Sequence, residues 1–186
     1  MNIIIEGIDK AGKSTMISDL TAKLKELYDI EAVIFKISKK PKGPDEVPEL
    51  IRAYEELFHQ TEDVRNKEHI FLFDRSYPSE MVYAPKRGYD SMNNEGLKEL
   101  DARLGRNENT ILIYCEANAE TIRRRFIEDK EEYASLEDIE MLLQGYDKFL
   151  SLTVLPYIRI SSENDREKNL NEVIKYLEEI DKEMNE

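Results

Sequence analysis

The chain has 186 residues, which is enough for one well-packed α/β domain and too short for two of ordinary size. It carries 27 Lys and Arg residues against 40 Asp and Glu residues, so its formal net charge is −13. A surface of this charge repels phosphate backbones, which argues against nonspecific binding of nucleic acid. We therefore expect a single domain, residues 1–186, in which any site for anions is locally basic.

The single cysteine, Cys115, lies in an apolar run at residues 111–115. One cysteine forms no internal disulfide, and its neighbours predict a buried strand residue rather than a nucleophile. No apolar run approaches the length that spans a bilayer, and the first predicted strand begins at residue 2, which leaves no room for a signal peptide. We expect a soluble protein of the reducing cytoplasm without a membrane partner.

Near the start of the chain, an apolar run at residues 2–6 predicts a buried strand, and a helical pattern begins at Thr15. Between them, residues 7–14 complete the GxxxxGK[ST] phosphate-binding pattern. Its glycines let backbone N–H groups turn toward phosphate oxygens at a helix N-terminus. In this pattern Lys13 reaches the β- and γ-phosphates and the Ser14 hydroxyl binds Mg²⁺. The predicted site for ATP and Mg²⁺ comprises Gly7, Ile8, Asp9, Lys10, Ala11, Gly12, Lys13, Ser14 and Thr15.

Beyond this loop, predicted strands alternate with predicted helices. Such an order is typical of a parallel sheet with helices on both faces and ligands at the carboxyl ends of the strands. After the helix at 15–28, the predicted order is strand 32–35, helix 49–59, strand 70–73, a helix from Pro78, helix 97–104, strand 110–115, a helix from about Asn118, helix 136–150, strand 157–161 and helix 170–184.

A second polar pair follows the third predicted strand. Asp74 ends this apolar run and Arg75 comes next, which places both at the expected cleft. A carboxylate in this position holds Mg²⁺, usually through water, and a planar guanidinium matches a phosphate. We expect Asp74 to serve the metal, and an exposed Asp–Arg turn is the alternative.

These two motifs resemble those of thymidylate kinases and their nucleotide-kinase relatives. Residues 6–15, EGIDKAGKST, look like the family's EG[LI]DxAGKST opening, and residues 74–83 match its DRYxxSxxAYQ pattern at Asp74, Arg75, Ser79 and Tyr83. The resemblance implies an α/β P-loop NTPase fold, with a five-stranded parallel sheet flanked by helices and a mobile lid.

The same resemblance implies phosphoryl transfer from MgATP to a nucleoside monophosphate. Arg75 would then bind the acceptor phosphate and contribute to catalysis, and Asp9 would lie near the acceptor sugar. Ser79 and Tyr83 would belong to the acceptor site. Small-molecule nucleotides are the expected partners, and a homodimer is compatible with the family.

Three consecutive arginines, residues 123–125, lie in the helix predicted after the fourth strand. Some family members place a catalytic arginine at the position of Lys10, and others place catalytic arginines in the lid. The resemblance therefore implies that Lys10 shares this role with the lid, which we assign to residues 118–135. Successive helical residues point about 100° apart, so the three arginines cannot all face ATP. We expect Arg125 to act, followed by Arg124, with an ordinary charged helix face as the alternative.

Two classes of acceptor stay possible: a nucleoside monophosphate and a nucleoside. Deoxynucleoside kinases share the loop and carry an (E/D)RS motif, and Ser76 follows Arg75 here. Because a nucleoside hydroxyl is a weak nucleophile, those enzymes place a carboxylate base near the end of the second strand. Asp45 or Glu46 would supply that base in this chain.

The segment after the second predicted strand, residues 36–42, contains four lysines and favours an anionic acceptor. We expect Lys36 and Lys39 to bind a monophosphate, with dTMP as the leading candidate, and a solvated lysine loop is the alternative. Phe58 is expected to stack on the acceptor base.

Strict thymine selectivity is in doubt at two positions. Glu62 stands where the family has an arginine, and Ala84 stands where it has glutamine. A nucleotide-binding switch is the hypothesis from another class of protein. The chain lacks the NKxD guanine motif, and a pure switch does not require the second anion site.

Overall fold

The structure, a computed structural model, describes residues 1–36, 40–63, 69–106, 109–129 and 135–185. These residues form five strands and seven α-helices, with short 3-10 turns at Pro44–Glu46 and Ala84–Arg87. In chain order the elements are β1 (Asn2–Glu6), α1 (Lys13–Tyr28), β2 (Val33–Lys36), α2 (Val47–Asp63), β3 (Phe71–Asp74), α3 (Tyr77–Tyr83), α4 (Glu95–Arg106), β4 (Thr110–Glu116), α5 (Ala119–Glu128), α6 (Leu136–Leu152), β5 (Tyr157–Ser161) and α7 (Arg166–Asn185).

The five strands form one parallel sheet in the order β2-β3-β1-β4-β5. Helices flank the sheet, and the central strand β1 is therefore buried along its whole length. This architecture confirms the predicted P-loop NTPase fold with a five-stranded parallel sheet.

The strand order brings the carboxyl ends of β2, β3 and β1 together. Ile5 of β1 is the register partner of Asp74 in β3, and Asp74 is also paired with Lys36 of β2. The loop that follows β1 therefore lies beside the turn that follows β3, which places the two sequence motifs at one edge of the sheet.

The core is built from the strands and from aromatic residues of the helices. Phe58 of α2 is 1% exposed, and its ring stacks on that of Phe73 with a centroid distance of 4.6 Å. The prediction that Phe58 stacks on the acceptor base is contradicted by this burial. The apolar face of an amphipathic helix presents its aromatic residue to the sheet rather than to the cleft.

Two further observations concern the predictions for the cysteine and for membrane-spanning segments. Cys115 is buried in β4, as predicted, and burial raises the pKa of its thiol to about 12. Within the described ranges, no helix is both long enough and apolar enough to cross a membrane.

Candidate active site

The loop between β1 and α1 is shaped by left-handed backbone angles at Gly7, Lys10 and Gly12, where φ is 145°, 67° and 95°. A β-carbon on residue 7 would lie 2.2 Å from the carbonyl oxygen of Cys115 in β4, so glycine is required there. The loop leads directly into the N-terminus of α1, where unpaired N–H groups and the helix dipole favour an anion. The backbone therefore forms a phosphate cradle.

Lys13, the first residue of α1, turns its ammonium group back into this loop. Its Nζ donates to the carbonyl oxygens of Gly7 and Ile8, each at 2.9 Å. Burial and the nearby charge of Arg75 lower the pKa of Lys13 to about 8. The ammonium is thus held by neutral acceptors that phosphate oxygens can replace.

Arg75, the residue after β3, reaches the same loop and lines the same cleft. Its backbone is left-handed, with φ of 72°, and its N–H donates to the carbonyl of Ile5 at 3.1 Å. A non-glycine residue is uncommon in this region and needs support from its surroundings. The conformation directs the guanidinium toward the cleft, 5.1 Å from the centre of the Tyr83 ring, with Nη1 donating to Ser79 Oγ at 3.0 Å.

Asp9 lies between the two cations. Arg75 Nη2 donates to its carboxylate, and the ammonium of Lys13 is 3.9 Å away. Burial acts to raise the pKa of Asp9, but the charges of Arg75 and Lys13 outweigh that effect and hold the pKa below its usual value. Asp9 is therefore ionised at neutral pH and occupies the guanidinium that was predicted to bind a phosphate.

The expected metal ligands, Ser14 and Asp74, line the same cleft. Both offer oxygen atoms, which Mg²⁺ prefers. The Nζ atom of Lys36 lies 3.0 Å from Asp74 Oδ2, so a cation already neutralises this carboxylate. The described residues contain no cluster of three His, Cys, Asp or Glu side chains able to hold a metal. The donor set fits a Mg²⁺ ion whose other ligands are phosphate oxygens and water.

One cleft of about 1000 Å³ joins these groups. On the β3 side it is lined by both cations and carboxylates, and on the other side it extends past the end of β5. The residues that line it include 9–16, Asp19, Lys36, Lys40, Asp74, Arg75, Cys115, Arg125, Glu128, Asp129, Ile160, Ser162, Asn164, Arg166 and Asn169.

Two of the consecutive arginines of α5 point in different directions, as helix geometry requires. Arg125 lines the cleft, and its Nη1 donates to the Lys10 carbonyl at 2.7 Å and to Ser162 Oγ at 2.8 Å. Arg124 is exposed and lies 3.7 Å from Glu128 in the same helix. The structure thus brings Arg125 to the phosphate loop and leaves Arg124 outside the described cleft lining, contrary to its predicted catalytic role.

The predicted lid already makes contacts with the loop. The Nζ of Lys10 lies 2.6 Å from Asp129 Oδ2, at the end of α5. Arg125 and Asp129 of the predicted lid therefore contact the phosphate loop, whereas Arg124 pairs within α5. Residues 130–134 of the proposed lid, like Lys39, lie outside the described part of the chain. Closure over ATP stays a prediction.

Two residues under the cleft were not singled out by the sequence analysis. Glu6 is fully buried and accepts hydrogen bonds from the Ser76 N–H at 2.7 Å and from the Tyr146 hydroxyl at 2.8 Å. An acidic residue at the end of an apolar strand was an available signal for Glu6. Tyr146 had none, because its role depends on contacts that are distant in sequence.

Solved structures share this fold at low sequence identity. The YorR protein of Bacillus subtilis, solved in complex with phosphorylated GDP, is 23% identical with a TM-score of 0.69, over 96% of each chain. Thymidylate kinase of Ehrlichia chaffeensis is 20% identical with a TM-score of 0.62, over 95% of this chain and 98% of that one. Deoxyadenosine kinase of M. mycoides is 21% identical with a TM-score of 0.57, over 96% of this chain and 100% of that one.

These similarities show that the chain has the fold of the P-loop nucleotide kinases. No protein-family model matches the chain, and no curated protein matches it either. The solved structures include kinases named for a nucleotide and for a nucleoside, so the fold alone does not select an acceptor.

Proposed function

We propose that this protein is a kinase that transfers the γ-phosphoryl group of ATP to a deoxynucleoside monophosphate, with dTMP or a close relative as acceptor. The observation that carries the proposal is one cleft lined by two sets of cations, Lys13 in the phosphate loop, and Lys36 and Arg75 at the ends of β2 and β3. A nucleotide switch needs only the first set. The substrates are soluble, and the cytoplasm is the proposed location.

On the donor side, the loop N–H groups would cradle the ATP phosphates, and Lys13 would exchange its carbonyl acceptors for β- and γ-phosphate oxygens. Ser14 and Asp74 would hold Mg²⁺, which neutralises charge on those oxygens. Arg125 ties the loop to the end of β5, so it would both fix the cradle and add positive charge near it.

On the acceptor side, Arg75 would bind the monophosphate through its planar fork. To do so it must release Asp9, its partner in the free protein. The freed carboxylate is then available to accept a hydrogen bond from a hydroxyl of the acceptor sugar. Tyr83, which lies against both groups, is placed to contact the same sugar.

The end of β2 supports an anionic acceptor over a nucleoside. A nucleoside hydroxyl needs a general base within hydrogen-bond reach, and the last residue of β2 is Lys36 rather than a carboxylate. Residues 37–39, Ile-Ser-Lys, supply no carboxylate either. Glu46 accepts a hydrogen bond from the Lys42 N–H at 3.0 Å, and neither it nor Asp45 is among the residues that line the described cleft.

A deoxynucleoside kinase is the second candidate, and one observation favours it. The Asp74 carboxylate lies in the cleft next to Arg75 and Ser76, where it could act as a base on a hydroxyl acceptor. The Lys36 ammonium, 3.0 Å from Asp74 Oδ2, already occupies this carboxylate, which is why the monophosphate is preferred.

An acceptor screen tests the proposal. Purified protein with MgATP should produce ADP steadily only when an acceptor is added, and dTMP should be a better acceptor than thymidine. ADP release without any dependence on acceptors would favour the switch. Faster phosphorylation of nucleosides than of monophosphates would establish the nucleoside kinase. Loss of that activity in Asp45→Asn or Glu46→Gln would identify its base, whereas Asp74→Asn should impair either kinase because Asp74 is also the proposed Mg²⁺ ligand.

A further inference from the structure

Glu6 is a buried charge at the junction of the two nucleotide sites. It ends β1, directly before the phosphate loop, and its side chain is 1% exposed. A buried carboxylate is costly unless hydrogen bonds replace its water. Four such bonds do so, from the Ser76 N–H at 2.7 Å, the Ser79 N–H at 3.3 Å, Ser79 Oγ at 2.8 Å and the Tyr146 hydroxyl at 2.8 Å.

These bonds fix the turn that carries Arg75. Its own N–H is held by the carbonyl of Ile5, and the next N–H along the chain, that of Ser76, is held by Glu6. The left-handed conformation of Arg75 is thereby fixed on both sides. The end of β1 therefore sets the backbone from which the guanidinium projects.

The Tyr146 hydroxyl of α6 contacts both sites. It donates to Glu6 Oε2 at 2.8 Å, lies 3.3 Å from the Gly7 carbonyl oxygen, and accepts from Arg75 Nη1 at 3.3 Å. The Gly7 carbonyl is also one of the two acceptors that hold the Lys13 ammonium. One hydroxyl thus touches the donor-phosphate loop and the acceptor-phosphate arginine.

We propose that Tyr146 is a positioning residue whose hydroxyl links the phosphate loop to Arg75 and holds the guanidinium in the orientation that binds the acceptor phosphate. This inference rests on the proposed function. Tyr146 is fully buried and does not line the described cleft, so it acts through Arg75 and Glu6 and not on the substrate.

The hydroxyl can be removed without removing the ring. The Tyr146 ring packs 5.1 Å from that of Tyr114 and edge-on to that of Tyr83, and phenylalanine would keep these contacts. Without the hydroxyl, Arg75 Nη1 loses one acceptor and keeps Ser79 Oγ at 3.0 Å, while Nη2 keeps Asp9. When the acceptor phosphate displaces Asp9, the guanidinium should then be held less firmly toward that phosphate.

The first experiment compares Tyr146→Phe with Tyr77→Phe. Tyr77 is also fully buried and also donates to a carboxylate, Asp101, but that carboxylate lies among Thr153 and Val154 away from the cleft. Tyr77→Phe therefore controls for the loss of a buried tyrosine–carboxylate bond. Tyr146→Phe should raise the KM for the acceptor about 10-fold, with the KM for ATP within about 2-fold, and Tyr77→Phe should leave both unchanged.

The second experiment is a double-mutant cycle on acceptor binding. If Tyr146 acts through Arg75, the loss caused by Tyr146→Phe should largely disappear when Arg75 is already replaced by lysine. Additive losses, or equal losses for ATP and acceptor, would overturn the inference while wild-type transfer still supports a kinase. A wild-type protein that transfers no phosphoryl group to any acceptor would refute the proposed function itself, and this inference with it.

Discussion

The two sides of the cleft are built by different means. The proposed donor side is made of consecutive residues, 7–14, whose backbone angles and N–H groups form the cradle. The proposed acceptor side is made of side chains from separate elements, with Arg75 after β3, Asp9 in the loop and Tyr83 at the end of α3. The first depends on local backbone geometry, and the second depends on how the whole chain packs.

This difference predicts how each side responds to substitution. Within residues 7–14, a side-chain change should remove a charge from a cradle that stays in place. A change on the acceptor side should alter the relative position of several groups at once. The four predictions below test that contrast, from the largest effect to the smallest.

Lys13→Ala should lower turnover by about 10³-fold, because it removes the cation expected to follow the transferred phosphoryl group. Cooperative thermal unfolding should persist, since the sheet does not depend on this ammonium. Lys25→Ala, on the exposed surface of the same helix, is the matched control and should retain full activity. Activity near wild type in folded Lys13→Ala protein would contradict the assignment of the loop.

Arg125→Ala should lower transfer by about 10²-fold, because the loop loses its tie to the end of β5 as well as a positive charge. Its neighbour Arg124 is the matched control, since it is exposed and pairs only along α5 in the contacts described. Steady-state rates of Arg124→Ala should stay within about 2-fold of wild type. Equal losses in the two variants would mean that the helix acts as a diffuse charge.

Arg75→Lys should weaken acceptor binding by roughly 10- to 100-fold and change ATP affinity little, because lysine cannot make the two-pronged contact with phosphate. Calorimetric titration of each nucleotide separates the two effects. Arg103 of α4 forms an exposed ion pair with Glu55 of α2, so Arg103→Lys is the control for replacing an arginine by lysine. The contrast between the two sides fails if ATP and acceptor are weakened equally.

The pH dependence should also differ between the two sides. Lys13 has a pKa of about 8 in the free protein, and a bound triphosphate favours its charged form. Binding above pH 8 therefore requires proton uptake, and ATP affinity should fall about 10-fold between pH 7 and pH 9. Calorimetry in buffers of different ionisation enthalpy would detect that proton, and the uptake should vanish in Lys13→Ala.

Acceptor binding should lack this dependence. Burial acts to lower the pKa of Arg75, but Tyr146, Tyr83, Glu6 and Asp9 together hold it above its usual range. The guanidinium therefore stays charged throughout the measured range. A parallel fall in acceptor affinity from pH 7 to pH 9 would show that Lys13 serves both nucleotides.

Most of the fold was predictable because hydrophobic periodicity marks the strands. The bounds predicted for β1 and β5 agree with the structure, whereas five helices, α1, α2, α3, α4 and α7, begin one to four residues earlier than predicted. Helix α2 starts at Val47, since Pro48 is tolerated in a first turn, where its missing N–H is not needed. Helix α7 starts at Arg166, in a polar turn where Asp165 accepts the Lys168 N–H at 2.8 Å, so no apolar residue marks it.

The site was predictable where its information is local. The loop motif predicted the backbone conformation of the cradle, and the position of Arg75 directly after an apolar strand predicted that it lies in the cleft. Phe58 was misassigned because the sequence does not distinguish an aromatic residue that packs in the core from one that contacts a ligand. Tyr146 was missed since its hydroxyl matters only through partners on β1 and after β3, which local patterns do not reveal.

The buried carboxylate of Glu6 also bears on how the protein becomes active as it is made. Its hydrogen bonds reach Ser76, 70 residues further along the chain, and Tyr146, 140 residues further along. Contacts this distant in sequence carry a large loop-closure cost and tend to form slowly. A nascent chain synthesised through β4 already contains both recognisable motifs, yet the hydroxyl that completes the acceptor side has not been made. Under the proposed function, the acceptor side should therefore be complete only when α6 docks.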